Sequence, residues 1–259
     1  WTKDYELHFG DRTYSLSWLT ENYLYGRGLE GKLNINDRFS LGAYHTKTRW
    51  LEPKTEETAV YMDFLLSDKN KVGLNYLRKL RDGKLSDITS FDAELEPFRN
   101  TKVDLEYALG PGGTTKDNAY LSRLYGRSDW LNYYLKLTHA GPDYPGYYSD
   151  LDYISGGVGL PVDKHLRLNA SFRREKNNLD ENPAFYSAPL EKYYQLGLDY
   201  KLETDTTFSL DWLIRDRRDR LNSPKFDYQE DTVRFGIGRG FDKLTIQTSA
   251  EFGKTRNKL

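Results

Sequence analysis

Apolar and polar residues alternate with a period of two along most of this chain, in segments of roughly ten residues, the length a tilted strand needs to cross a bilayer. From His165 to Arg173, Leu166, Leu168, Ala170 and Phe172 fall on one face, with Arg167, Asn169, Ser171 and Arg173 on the other. Tyr194, Leu196, Leu198, Tyr200 and Leu202 alternate with Gln195, Gly197, Asp199 and Lys201. Phe208, Leu210, Trp212 and Ile214 alternate with Ser209, Asp211 and Arg215. The same split recurs at Leu131–Leu137, Val233–Ile237 and Leu244–Phe252. Helical periodicity is nearly absent, and no run of about 18 apolar residues offers a transmembrane helix.

Such strands separate an apolar medium from a polar one, and composition says which media. The chain is 15% aromatic, with 21 Tyr, 12 Phe and 5 Trp, yet its mean hydropathy is −0.79. A soluble core of matching size would be less polar, and a disordered chain would lack the aromatics. A bilayer-spanning barrel reconciles the two, because only alternate residues meet lipid, aromatic girdles mark both interfaces, and the interior is polar. The fold expected is therefore all-β, a transmembrane antiparallel up-and-down β-barrel in the bacterial outer membrane, read as a single domain over 1–259. Lys+Arg 38 against Asp+Glu 39 leaves no field to attract nucleic acid. Zero Cys excludes disulfides and Cys-ligated metals, and fits passage through an oxidising periplasm.

Connections alternate between two kinds. Short polar turns lie at Asn36-Asp37-Arg38, Asp68-Lys69-Asn70, Arg99-Asn100, Arg127-Ser128-Asp129, Asp163-Lys164, Thr204-Asp205-Thr206 and Asp242-Lys243. Longer links rich in Gly, Pro and charge run over 51–58, 110–117, 141–149, 175–189 and 217–229. In outer-membrane barrels the short turns are periplasmic and the long loops external. Strands are expected near 3–9, 12–19, 27–35, 38–49, 58–66, 71–80, 87–97, 101–109, 118–126, 130–139, 150–160, 165–174, 192–202, 206–216, 230–240 and 243–253, about sixteen in all. On that count the chain starts and ends on the long-loop side, and its end, Glu251 to Leu259, lacks a terminal aromatic. Trp1 follows neither Met nor an apolar leader. Together these lead us to expect a segment of a longer chain, with further strands or partner chains completing the barrel.

Across nearly its whole length the pattern resembles bacterial outer-membrane barrels of the porin and export-pore kind, a likeness of architecture that fixes no family. Gly10-Asp11-Arg12 through Arg27-Gly28 resembles the Gly-Asp … Arg-Gly hairpin of fimbrial usher barrels, which are larger. That resemblance implies an export pore for unfolded or subunit cargo.

Residues that could carry covalent or metal chemistry are sparse. His8, His45, His139 and His165 have no spacing that sets two ligands on one strand face. Gly236-Ile237-Gly238-Arg239-Gly240 is reminiscent of a phosphate loop, but it lies inside an alternating strand with no helix to follow. Some outer-membrane barrels carry a Ser-His hydrolytic pair, yet no context here singles out a nucleophile. Trp50, Trp130, Tyr147, Tyr148 and Tyr193 are placed to form an interfacial girdle, and alternatively a sugar-binding track. The expectation is no enzyme, no metal and no cofactor.

The inward-facing charges carry the functional expectation. Asp92, Glu94, Asp104 and Glu106 form an acidic set, and Arg167 and Arg173 a basic one. If they line a wet lumen, the field across it favours polar or ionic solutes; if they pair, they fill a closed interior. The leading expectation is a pore for polar solutes or polymers with the bilayer as its other partner. The rivals are a barrel that anchors or exports part of a larger surface assembly, and a soluble all-β binding protein.

Overall fold

The computed structural model describes residues 4–50 and 52–259. Lys3, at the start of the first expected strand, and Leu51, at the start of an expected loop, lie outside them. Among the described residues fifteen strands follow one another: β1 (Tyr5–Tyr14), β2 (Leu24–Asn36), β3 (Phe39–Lys47), β4 (Thr55–Ser67), β5 (Asn70–Arg81), β6 (Lys84–Phe98), β7 (Thr101–Leu109), β8 (Asn118–Arg127), β9 (Asn132–Ala140), β10 (Leu151–Pro161), β11 (Leu166–Asn177), β12 (Pro189–Lys201), β13 (Thr206–Asp219), β14 (Asp227–Phe241) and β15 (Leu244–Asn257). Their order in the sheet is their order in the chain, an uninterrupted meander. The chain gathers into two compact units, residues up to 123 with 138–150, and residues 124–137 with 151–259.

One expectation needs correction. The strands sought at 3–9 and 12–19 are a single strand, β1, and residues 15–23 are a loop. Gly10, at φ 103°, bends β1 without ending it, since Phe9, Gly10 and Asp11 stay in register with Leu29, Gly28 and Arg27. Polarity at Gly10-Asp11-Arg12 is thus a mid-strand feature. With β1 counted once, it starts on the short-turn side and runs to the long-loop side. Both halves of the usher-like pattern face each other, Arg27 gripping Asp11 with two hydrogen bonds of 2.9 and 2.7 Å. A Cβ at Gly28 would overlap the His45 carbonyl oxygen and stand 2.8 Å from Thr46 Cα, so β2 and β3 need glycine there.

Alternation sorts the faces as the sequence implies. Leu168 stands opposite Leu198, Leu198 opposite Leu210, and Leu210 opposite Phe235. These four side chains, with Phe172, Leu196 and Trp212, are exposed on the outer face, and Leu166 is half-exposed. Asn169, Asp199 and Ser209 take the opposite, inner face between them. An apolar row that crosses strands in register suits contact with acyl chains, and cross-strand pairs add about 0.2–1 kcal/mol each. The Gly-rich stretch 236–240 lies inside β14, where a Cβ at Gly236 would run into the Ser209 side chain.

Candidate functional site

In the first unit the inner face is not bare. Near its long-loop end, inward positions are small or apolar where a wet wall would be polar: Tyr44, Ala59, Leu77, Ile88, Ala108, Ala119, Leu121 and Ala140, all buried. What covers them is the loop 15–23, together with 141–150. Leu19 is fully buried and Tyr144 almost so.

Contacts from four strands hold the 15–23 loop. Glu106 of β7 accepts from Ser17 Oγ at 2.6 Å and from Leu19 N at 3.2 Å. Lys79 of β5 meets Glu21 at 2.6 Å and Glu57 of β4 at 3.5 Å, all three side chains nearly or fully buried. Arg123 of β8 lies 3.8 Å from the Trp18 ring centroid and pairs with Asp104 at 2.8 Å. Ser90 of β6 stands 3.5 Å from Ser17 Oγ. The second loop closes over the first, as Tyr144 Oη and Tyr147 N donate to the Leu19 carbonyl at 3.1 and 2.8 Å. Burial pushes the Tyr144 phenol well above its ordinary range, so it stays a donor.

The expected acidic set lies on this face in two rungs. Asp92 stands directly opposite Glu106, and Glu94 opposite Asp104. Like charges in register repel, and nearby cations offset them. Lys71 reaches Glu94 at 3.4 Å, Lys102 reaches Glu94 at 3.1 Å and Asp104 at 3.4 Å, and Arg123 takes Asp104. Gly73, opposite Asp92, leaves room for its carboxylate. Asp104 and Glu106 are buried, while Asp92 and Glu94 are half-exposed.

Arg167 and Arg173 belong to the second unit, both on the inner face of β11. Glu191 of β12 gathers Arg173 at 2.7 Å, Arg215 at 3.3 Å and Arg217 at 3.9 Å, and Arg215 also meets Glu230 at 3.5 Å. Arg167 stands opposite Asp199. Each expected set therefore meets counter-charges inside its own unit. Sequence reasoning missed Glu21, Glu57, Lys79 and Arg123, and in the second unit Glu191, Arg215 and Arg217. The signal for the first group was the run of small and apolar inward positions, which calls for something to cover it.

The other candidates are dispersed. His45 Nδ1 lies 2.9 Å from Thr58 Oγ1, His165 Nδ1 lies 2.8 Å from the Lys201 carbonyl, His139 stacks on Tyr120, and His8 sits 3.7 Å from Glu6. Tyr193 is not a girdle residue, because strand parity turns it to the inner face beside Glu191, with Arg173 over its ring at 5.8 Å. Trp50 and Trp130 are exposed, and Tyr147 meets Tyr148 edge to face.

An antiparallel meander with an apolar outer face, a charged inner face and alternating short and long connections defines the outer-membrane β-barrel class, and the fold is that of a bacterial outer-membrane barrel. Outward rows of Leu and Phe rule out the soluble alternative. No family model matches the chain, and no curated protein matches it. Solved structures do. Wzi of Escherichia coli, an outer-membrane protein involved in group 1 capsule assembly and described as a carbohydrate-binding β-barrel, aligns with TM-score 0.54 at 12% identity, covering 98% of this chain and 68% of that one. OccAB3 of Acinetobacter baumannii aligns at 0.48 and 12%, over 92% and 73%. A loop L8 deletion variant of OmpT, an outer-membrane protein of Vibrio cholerae, aligns at 0.44 and 11%, over 98% and 95%. At these identities the likeness is one of fold.

Proposed function

We propose that the chain forms a charge-lined path for polar solutes or polymers through the outer membrane, with the 15–23 loop as its gate and no covalent chemistry. The observation that carries this reading is how the loop is held. Ser17, Trp18, Leu19 and Glu21 dock on Glu106, Arg123 and Lys79. Such contacts can be exchanged for contacts with a polar solute, whereas a wholly apolar plug could only be expelled at the expense of wetting it. A carbohydrate as cargo is in keeping with what the Escherichia coli protein is described as binding.

Planar-bilayer recording tests the reading. The wild type should conduct, and a variant with 15–23 shortened should conduct more. Neutralising Asp92, Glu94, Asp104 and Glu106 should move the reversal potential toward anion selectivity, and neutralising Arg167 and Arg173 toward cation selectivity. Both shifts should shrink near 1 M salt, where the Debye length is about 3 Å. Silence from the wild type and from the shortened variant would sink the pore. It would favour the second reading, a filled barrel that anchors or exports part of a larger surface assembly, which the complete burial of Leu19 supports.

A further inference from the structure

Above the second unit, on the long-loop side, the loops 178–188 and 220–226 enclose a cleft of about 650 Å³, within the usual span for small-ligand sites. Phe185 and Tyr186 line it at 56% and 78% exposure, together with Glu181, Asn222, Ser223 and Lys225. Two large aromatic side chains so exposed would be unremarkable in an interfacial girdle. Their position excludes that role.

The outer face of β11–β14 shows where the hydrocarbon ends. Phe172, Tyr194, Ile214 and Asp231 form one cross-strand row, still apolar on β11–β13, and the next row up is Arg174, Lys192, Asp216 and Gln229. The row above that includes Lys176, Arg218 and Asp227, with Leu190 buried among them. Two successive charged rows mark water. Phe185 and Tyr186 belong to the 178–188 loop, which leaves β11 after Asn177, at the strand end beyond both rows. Aromatic rings held out in water above a membrane surface are binding surface.

The cleft is also built in advance. Arg220 ties the two loops, donating to Glu181 Oε1 at 2.8 Å and to the carbonyls of Asn177 and Asn178 at 3.0 and 2.7 Å. Asp219 accepts from the amides of Ala188, Leu221 and Lys225 at 2.8, 3.2 and 2.9 Å. Asn178 braces its own loop through the Asn182 carbonyl and amide at 3.0 and 2.8 Å. Little ordering remains to be done when a ligand arrives. Within this frame the side chains of Asn222, Ser223 and Lys225 are exposed.

We infer that this cleft binds a saccharide. A pyranose ring presents an apolar C–H face and a rim of hydroxyls. Phe185 and Tyr186 supply flat apolar surface for the first; the amide, hydroxyl and ammonium of Asn222, Ser223 and Lys225 supply donors and acceptors for the second. A purely apolar ligand would leave those three unpaired, and a phosphate would have only Lys225 to meet it. The assignment stands apart from the pore reading, since a barrel that conducts nothing can still carry this cleft.

The test uses the full chain in detergent on an array of neutral, amino-sugar and uronic-acid oligosaccharides, with the strongest binder then titrated by calorimetry. Binding should be saturable and weakened at least tenfold by Phe185→Ala or Tyr186→Ala, both exposed. Asn222→Ala should weaken it too, while Trp130→Ala, an exposed aromatic at a short turn, should leave it unchanged. Absence of any binder would overturn the proposal. So would binding lost in Lys225→Ala but intact in both aromatic variants, which would mark an anion site, or retention of the protein on phospholipid vesicles through Phe185 and Tyr186, which would mark a lipid contact.

Discussion

Replacing Lys79 by Met tests whether the 15–23 loop is held electrostatically. Lys79 stands 2.6 Å from Glu21 and 3.5 Å from Glu57, with side-chain exposures of 6%, 7% and 0%. Met preserves most of the stem and removes the charge, leaving two buried carboxylates side by side. Glu57 then retains only the Tyr44 hydroxyl at 3.3 Å, on Oε2, and its Oε1 has no hydrogen bond. Removing one member of a buried ion pair costs about 3–5 kcal/mol, mostly through the uncompensated charge. At 1.4 kcal/mol per decade that is roughly two to three and a half orders of magnitude in the folding equilibrium. Relief by local release of the loop would lower the global figure and appear instead as cleavage within 15–23. Urea unfolding in detergent followed by tryptophan fluorescence, with limited proteolysis of the same samples, reads both. Converting all three residues to apolar ones of similar volume should recover the loss, because no charge is then stranded. A change below about 1 kcal/mol, with the loop still protected, would show that Glu21 and Glu57 are not desolvated and would refute the account.

Three further outcomes are expected. Leu168→Arg, on the lipid-facing row, should cost about 2–4 kcal/mol near the midplane, and membrane-impermeant reagents should label Cys at Asn169 or Asp199 but not at Leu168 or Leu198; the opposite pattern would reverse the strand phase. Gly28→Ala should destabilise by about 1–3 kcal/mol, since the added methyl meets the backbone of His45 and Thr46; an unchanged unfolding midpoint would show that β3 can yield. In the exposed turn between β10 and β11, Asp163 accepts the His165 and Leu166 amides at 2.7 and 2.8 Å, bonds that hold its carboxyl below the usual range. A depressed folded pKa means that this support is complete above the unfolded value of about 3.9 and is lost as pH falls through the folded one. Hydrogen exchange at His165 and Leu166 should accordingly quicken, relative to an Asp163→Asn variant, only in strong acid.

Much of the fold was legible because β alternation is local. Leu168, Leu198 and Leu210 declare their face within a few residues, and Asp163-Lys164 or Asp242-Lys243 mark turns without help from elsewhere. The failure at 12–19 has the same origin. Tyr14, Leu16 and Trp18 alternate as a strand would, but Ser17, Leu19 and Glu21 find partners at Glu106 and Lys79, which no local pattern announces. The acidic set was placed on the correct face by parity. That Arg123, Lys71 and Lys102 would offset it depends on register between strands, which alternation alone does not specify.

The Leu19 carbonyl accepts from Tyr144 and Tyr147, groups some 125 positions further along the chain, and this imposes an order of events on biogenesis. The β1–β2 hairpin can form early, but the latch on its loop cannot engage until the segment after β9 has arrived and folded back. Closing so wide a span is slow, because its entropy must be surrendered before the contacts reward it. Until then the nascent barrel can hold its first loop only through the strand contacts at Lys79, Glu106 and Arg123, with the Leu19 carbonyl still open to chaperones and proteases, and the interval ends only when Tyr144 swings in.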